Sequence, residues 1–216
     1  PHIVYAYSNV PGQVRYATKS GSTWTREIAN PSGSNLAYNT SELSIGLDPV
    51  NGNRPTIVFT RDNPSNSDDE ATVAYRTGAN AWTEAVFANG ANYDDFLGGA
   101  EFTTGGILRF TMGQYAAAVN TWSSAAGFGT YEVTGISNYS QQAPLVLDGV
   151  GQAIVMTDTA AAHKVGTAWI LSAYESFETT YFDLARTTAG SPRFGVRHGS
   201  SLELAALNGE SYWVYS

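Results

Sequence analysis

The sequence predicts an all-β fold, and three observations favour a β-propeller. Its 216 residues include 22 Gly but only 14% charged residues, which is typical of many short strands joined by tight turns. Apolar residues alternate with a period of two, and no stretch of about twelve residues shows the helical period of 3.6. In addition, a strand–turn–strand–turn–Trp unit recurs five times, as expected for propeller blades.

The first unit, residues 1–28, sets the pattern. It reads as three alternating strands, HIVYAYS, QVRYATK and TWTREI, separated by the turn segments NVPG and SGS. The same order leads to each of the five tryptophans, which are Trp24, Trp82, Trp122, Trp169 and Trp213. The third unit is the least regular, because GTYEVTGI at 129–136 is an alternative outer strand to the segment that holds Trp122.

A fourth strand precedes units two to five, reading ELSIGLD, LGGAEF, PLVLD and TYFDLA. A full unit therefore has an inner, a second, a third and an outer strand. We predict one propeller domain over residues 1–216 with five blades of four antiparallel strands, the first blade lacking its inner strand at the N-terminus. The predicted blades span about 1–29, 41–88, 95–136, 143–177 and 179–216.

The missing strand has three interpretations. It lies upstream in a longer precursor, the ring closes on a depleted first blade, or the chain is a segment of a larger propeller. A β-sandwich with a similar number of strands is the rival fold. The even spacing of the tryptophan units argues against that rival.

Composition limits the partners. The net charge is −8, and the 11 Lys and Arg residues are scattered, whereas nucleic-acid binding needs a basic face. No apolar run reaches the roughly 18 residues of a membrane span, so no membrane insertion is expected. The absence of Cys excludes disulfides and thiol catalysis. Few Lys with many Asn, Thr, Ser, Gly and Tyr is associated with secreted β-proteins, so we predict a secreted or cell-surface protein.

The segment VRYATKSGSTW resembles the Asp-box (BNR) repeats of secreted bacterial β-propellers, including sialidase-like proteins. In that box, Ser-x-Asp-x-Gly-x-x-Trp, Gly21 and Trp24 match the last two marks, whereas Ala17 and Lys19 replace the Ser and the Asp. A second degenerate copy ends at Trp169. The resemblance implies the fold, but the arginine triad, tyrosine nucleophile and acid/base of sialidases have no counterparts that can be placed. The length and architecture are also similar to five-bladed tachylectin-type lectins, which implies sugar binding.

Four connections into inner strands share a Tyr followed by small polar or acidic residues: AYNTSE, NYDDFL, NYSQQA and AYESFE. Such connections gather on the propeller face around the central channel, where aromatic and planar polar groups suit sugars. The predicted ligand-binding residues are Tyr38, Asn39, Tyr93, Asp94, Asp95, Tyr139, Gln141, Tyr174 and Glu175. The competing interpretation is that the tyrosines wedge between blades and the polar residues cap turns.

The loop RDNPSNSDDEA at 61–71 is the longest acidic run. Its residues Asp62, Asp68, Asp69 and Glu70 form a candidate calcium site, because Ca²⁺ takes about six to eight oxygen ligands. The spacing does not match an EF-hand, and a solvated loop is the competing interpretation. Calcium is the one cofactor for which the sequence offers a candidate.

Two other sets of residues have a structural interpretation. Asp48 and Asp148, in LDPVNG and LDGVG, are predicted to be turn residues at inner-to-second hairpins. The five tryptophans are predicted to pack the blades rather than to stack on five sugars.

The predicted function is non-catalytic, lectin-like binding of a glycan outside the cell, with a carbohydrate or another extracellular protein as partner. The first alternative is a structural or assembly module of a larger secreted or surface protein, whose open blade pairs with a strand from another segment or chain. The second is a propeller glycoside hydrolase or polysaccharide lyase, for which the best-placed acids are Glu42, Asp95 and Glu178. No residue is assigned as catalytic.

Overall fold

A computed structural model arranges the strands of the chain in five antiparallel sheets. It describes residues 1–7, 12–31, 43–62, 69–87, 95–114, 118–128, 130–137, 143–157, 160–173, 182–187, 191–198, 201–208 and 212–215. Within each sheet the strands follow chain order, and each pairs with the next strand along the chain. The predicted all-β propeller fold is confirmed.

Sheets are numbered here in chain order. Sheet 1 has three strands, β1 (His2–Tyr7), β2 (Gln13–Ser20) and β3 (Thr23–Ile28). Sheet 2 contains β4 (Leu43–Asp48), β5 (Arg54–Asp62), β6 (Asp69–Gly78) and β7 (Ala81–Phe87). Sheet 3 contains β8 (Asp95–Phe102), β9 (Leu108–Gln114), β10 (Ala118–Ser123) and β11 (Tyr131–Ser137). Sheet 4 contains β12 (Leu145–Leu147), β13 (Ala153–Met156), β14 (Ala160–Val165) and β15 (Ala168–Ala173). Sheet 5 contains β16 (Phe182–Arg186), β17 (Pro192–His198), β18 (Ser201–Asn208) and β19 (Tyr212–Tyr215).

As predicted, the first strand of sheet 1 corresponds to the second strand of the other sheets. Its first strand, β1, contacts β4 of the next sheet in the way that β5, a second strand, contacts β8. In the described residues sheet 1 has no strand on the inner side of β1. The third unit resolves in favour of the alternative assignment, since its outer strand is β11 and Trp122 lies on β10.

The hydrophobic core lies between neighbouring sheets rather than inside any one of them. Val14 and Tyr16 of sheet 1 pack with Ile57, Phe59 and Trp82 of sheet 2. A similar cluster joins sheets 2 and 3, and another joins sheets 3 and 4. Strands such as TIVFT and AIVM therefore read as continuous apolar runs, because both of their faces are buried.

Sheet 3 lies close to the inner strand of sheet 2 and to the segment that leads into the inner strand of sheet 4. The backbone N–H of Ala100 donates to Ser44 Oγ at 2.8 Å, and the hydroxyl of Thr111 donates to the carbonyl of Ala143 at 2.6 Å. A Cβ at Gly98 would lie 1.8 Å from that carbonyl oxygen. Only glycine fits between these strands, so the sheets are fixed relative to one another.

The turn interpretation of the two aspartates is confirmed. Asp48 Oδ1 accepts a hydrogen bond from the N–H of Val50 at 3.2 Å, and Asp148 Oδ1 accepts from the N–H groups of Val150 and Gln152 at 2.9 and 2.8 Å. These are Asx-type turns, in which a carboxylate replaces a backbone acceptor. No helix among the described residues is long and apolar enough to cross a membrane.

Candidate functional site

The predicted ligand residues fall almost entirely outside the described part of the chain. Those outside are Tyr38, Asn39, Tyr93, Asp94, Tyr139, Gln141, Tyr174 and Glu175. The remaining one, Asp95, is the first residue of β8, where its backbone pairs with Gln114. This predicted site on the channel face therefore stays a prediction.

The calcium candidates lie at the hairpin between β5 and β6. In the backbone register Asp62 is the cross-strand partner of Asp69 and Arg61 that of Glu70, whereas Asp68 lies outside the described residues. Elsewhere in the described residues, no three His, Asp or Glu side chains come together in a way that could hold a metal ion. The calcium site also stays a prediction.

The described residues place a different candidate site between sheets 1 and 2. A cleft of about 530 Å³ opens between the β3 edge and the β6–β7 turn, and we call it the rim cleft. It is lined by Gln13, Arg15, Arg26, Glu27, Ile28, Asn30, Pro31 and Asn80. Planar amide and guanidinium groups thus stand beside two apolar side chains.

Glu27 forms the charged centre of this interface. Its carboxylate accepts from Arg76 Nε at 2.9 Å, from Arg76 Nη2 at 2.6 Å and from the indole Nε1 of Trp82 at 2.9 Å. The backbone N–H of Asn80 also donates to it. The Glu27 side chain is only 1% exposed, so sheet 1 buries a carboxylate against three groups of sheet 2.

The pair is electrostatically matched. Hydrogen bonds from Arg76 hold the pKa of Glu27 below its usual value, despite the opposing effect of burial. The same bonds raise the pKa of Arg76. The carboxylate is therefore ionised at neutral pH, and its lone pairs are taken up by donors of the protein.

A second cleft lies along the same interface. It has a volume of about 370 Å³, and we call it the base cleft. Its lining includes His2 and Tyr16 of sheet 1 with Asn53, Arg54 and Arg76 of sheet 2.

Two contacts define the chemistry of the base cleft. His2 Nδ1 lies 2.6 Å from the hydroxyl of Tyr16, and the Arg76 guanidinium lies 6.0 Å from the centre of the Tyr16 ring. Burial, the N-terminal charge and Arg76 lower the pKa of His2, in that order of importance. The described lining of the base cleft contains cations, amides and hydroxyls but no carboxylate.

A related arrangement joins sheets 3 and 4. Glu132 of β11 pairs with Lys164 Nζ of β14, and that nitrogen lies 5.8 Å from the centre of the Trp169 ring. Here the acid is 46% exposed, and among the residues that the structure describes no group accepts from the buried Trp169 Nε1. The second interface therefore has the same three residue types in a looser arrangement.

The tryptophans differ in environment. Trp82 and Trp122 are buried, as predicted, whereas Trp24 is 41% exposed. Trp24 and Trp82 occupy matching places, since each is the cross-strand partner of a cation, Lys19 or Arg76. The packing interpretation therefore holds for Trp82 and Trp122 but not for Trp24.

The Glu27–Arg76–Trp82 cluster was not predicted from the sequence. The two ionic residues are 49 positions apart and meet only because sheets 1 and 2 are neighbours. A usable pattern was present, because a cation and a tryptophan flank the tight turns of the first, second and fourth units.

The fold is similar to that of known propellers. Among solved structures, a mutant of the Aleuria aurantia lectin in complex with Fucα1-6GlcNAc matches with a TM-score of 0.61 and 14% identity, covering 100% of this chain and 78% of that one. Another structure of the Aleuria aurantia lectin, described as a six-bladed β-propeller with a novel fucose recognition mode, matches with a TM-score of 0.62 and 15% identity over 100% and 77% of the two chains. Trypanosoma rangeli sialidase matches with a TM-score of 0.55 and 13% identity over 92% and 42%.

These likenesses establish the β-propeller fold alone, because all of the identities are below 25%. No protein-family model matches the chain, and no curated protein sequence matches it.

Proposed function

We propose that this protein is a non-catalytic glycan-binding β-propeller module that acts outside the cell, and that the rim cleft is one of its binding sites. The lining of that cleft is the observation that carries the proposal. Amide and guanidinium groups of Gln13, Arg26 and Asn80 suit pairs of sugar hydroxyls, and Ile28 and Pro31 suit the C–H faces of a sugar ring. The fold, which is similar to that of fucose-binding lectins, supports the same proposal.

The charges of the rim cleft restrict the chemical class of glycan that it can bind. Arg15 and Arg26 supply donors, whereas the carboxylate of Glu27 is already occupied by Arg76 and Trp82. A ligand rich in acceptor oxygens, such as a sugar with a carboxylate or several free hydroxyls, complements this lining.

The same geometry favours binding over hydrolysis. A glycosidase needs two carboxylates about 5–10 Å apart, one of which carries a proton at working pH. Of the described residues that line the two clefts, Glu27 alone is an acid, and its lowered pKa keeps it ionised. The hydrolase alternative rests on Glu42, Asp95 and Glu178, whose side chains lie outside the described part of the structure.

A glycan array probed with the fluorescently labelled chain tests the proposal, with Asn80→Gly as the diagnostic variant. Asn80 has a positive φ of 53°, so glycine removes the amide without straining the turn. We expect a defined set of glycans to bind, and Asn80→Gly to weaken binding about threefold to tenfold, the loss of one or two hydrogen bonds.

The matched control is Asn53→Gly, at an exposed position with a φ of 56° in the base cleft. It removes the same amide from the same backbone conformation and should leave binding unchanged. An array without a hit above background would contradict glycan binding itself. Loss of binding in Tyr93→Ala and Tyr139→Ala, with Asn80→Gly unaffected, would move the site to the channel face.

A further inference from the structure

None of the described strands packs on the face of sheet 1 that points away from sheet 2. Cross-strand pairing places Ile3, Ala17 and Arg26 in one row and Tyr5, Arg15 and Ile28 in the next. We call this surface, with the adjoining pair Lys19 and Trp24, the open face. Ile3, Trp24 and Ile28 are 45%, 41% and 45% exposed. A shallow groove of about 520 Å³ runs across it.

The same position in sheet 2 is a sheet–sheet contact. Trp82 matches Trp24 in register, yet it is only 8% exposed because sheet 1 covers it. Its ring lies edge-on to Tyr16 with the centroids 5.4 Å apart, and its Nε1 donates to Glu27. Within this fold, a surface of the kind that Trp24 occupies is one on which another sheet packs.

The cations of sheets 2 and 4 that lie opposite a tryptophan across the strand pair each form an ion pair with an acid of the preceding sheet. Arg76 of sheet 2 meets Glu27 of sheet 1, and Lys164 of sheet 4 meets Glu132 of sheet 3. Lys19, which lies 5.8 Å from the Trp24 ring centre, is the third cation at this register. None of the described residues brings a carboxylate to it.

Interfaces without the cation also lack the acid. At the position that the cation and its partner tryptophan occupy in the other sheets, sheet 3 has Trp122 opposite Tyr131 and sheet 5 has Leu207 opposite Trp213. The preceding outer strands, β7 and β15, have no acidic residue at the positions that alternate with their tryptophans: Thr83 and Ala85 on β7, and Ile170 and Ser172 on β15. Acid and cation therefore occur together or not at all at the four sheet pairs.

The charges argue against two occupants. The outer strand of sheet 5, β19, reads YWVY and has no acid to offer Lys19. A second copy packed open face to open face would bring Arg15, Lys19 and Arg26 against the same three cations. Although the whole chain has a net charge of −8, these three cations lie together on the open face, which indicates an acidic occupant.

We propose that the open face is the docking surface for a partner β-sheet, not among the five described here, whose outer strand presents a glutamate to Lys19 Nζ and Trp24 Nε1. The contact repeats the Glu27–Arg76–Trp82 geometry, with apolar packing over Ile3, Tyr5 and Ile28. This inference goes beyond glycan binding, and the two compete for Arg15, Arg26 and Ile28, which belong to both surfaces.

Thiol labelling tests the proposal directly, because the chain contains no cysteine. Ile3→Cys puts a single thiol on the open face, and Val50→Cys, at a 58% exposed turn of sheet 2, is the matched control. Each variant is made in the parent chain and in a chain extended after Ser216, through a flexible linker, by a second copy of residues 95–137. That copy supplies an outer strand with its own Glu132.

We expect maleimide to label Ile3→Cys rapidly in the parent chain and at least about tenfold more slowly in the extended chain, with Val50→Cys unchanged. Glu132→Gln in the added copy should restore most of the fast labelling. A second extension with residues 1–31, whose Glu27 supplies the acid, covers the case in which the first copy fails to fold.

Four results would overturn the proposal. The first is slow labelling in the monomeric parent, which would show that its own last sheet covers the face. The second is slow labelling that depends on parent concentration, which would make a second copy the occupant. The third is protection that survives Glu132→Gln in the added copy, and the fourth is fast labelling in both extended chains.

Discussion

Replacing Glu27 by Gln should destabilise the protein out of proportion to the size of the change. The substitution keeps the shape of the side chain but removes the charge that Arg76 contacts through two hydrogen bonds of 2.9 and 2.6 Å. Hydrogen bonds to charged groups contribute about 1.5–3 kcal/mol each, and breaking a buried pair costs about 3–5 kcal/mol. Since Arg76 is 28% exposed and regains some hydration, we expect a loss of about 2–3 kcal/mol.

Thermal and urea unfolding measure this loss. For a domain of this size, about 1 kcal/mol shifts the midpoint by roughly 2–4 °C, so Glu27→Gln should lower Tm by about 4–12 °C at pH 7. Glu132→Gln is the matched control, because it removes the acid of the same kind of cluster where that acid is 46% exposed. Glu132 keeps contact with water although Lys164 is only 10% exposed, so the control should cost about 1 kcal/mol, less than Glu27→Gln, and shift Tm by only a few degrees.

The pH dependence provides an independent check. Hydrogen bonds from Arg76 hold the pKa of Glu27 in the folded protein below the usual glutamate value of 4.5, so its contribution is fully present above pH 4.5. That contribution is lost as the pH falls through the lower folded-state pKa, because protonation then favours the unfolded chain. The difference in stability between the parent and Glu27→Gln should therefore shrink as the pH drops below about 4.5.

Two results would refute this reasoning. The first is a Glu27→Gln loss no larger than that of Glu132→Gln, which would mean that burial adds nothing to the pair. The second is a difference that persists undiminished at pH 3, which would mean that the charge of Glu27 is not its source.

Two further predictions concern packing. Gly98→Ala should cost about 3 kcal/mol or more in urea unfolding, because its Cβ would meet the Ala143 carbonyl oxygen at 1.8 Å, whereas Gly105→Ala, with its nearest atom at 3.8 Å, should change stability by less than about 1 kcal/mol. Equal losses for the two would argue against a tight approach of the inner strands. Trp82→Ala should cost about 3–5 kcal/mol, and Trp24→Ala under about 1.5 kcal/mol, because only the first indole is buried in the chain alone. A large loss at Trp24 would show that its face is already covered.

Much of the fold could be predicted because strands in a propeller are local. Each consecutive pair is an antiparallel hairpin, so the alternation within 1–28 was enough to order β1, β2 and β3. The third unit was harder, because Trp122 occupies the cation position on β10 while Tyr131 takes the tryptophan position on β11. A pattern based on tryptophan alone places Trp122 on the outer strand, although in this unit the tryptophan lies on the third strand.

The candidate site could not be predicted to the same extent. Its central contact joins residues on different sheets, and no local pattern encodes which outer strand meets which third strand. Turn chemistry, by contrast, was readable, since an aspartate that bonds the N–H two residues later needs only its own segment. Sequence reasoning was therefore reliable within a hairpin and weak between sheets.

The pairing of acid with cation also bears on how such a chain could grow by duplication. Consider a second copy of sheet 3 alone, inserted after sheet 4. Its Glu132 would lie against sheet 5, where Leu207 rather than a cation stands opposite the tryptophan. A copy of sheets 3 and 4 together would keep the Glu132–Lys164 ion pair. The two new contacts, with sheet 4 before it and sheet 5 after it, would then have neither the acid nor the cation. At this place in the ring, the duplicated piece that conserves every ionic contact is two sheets rather than one.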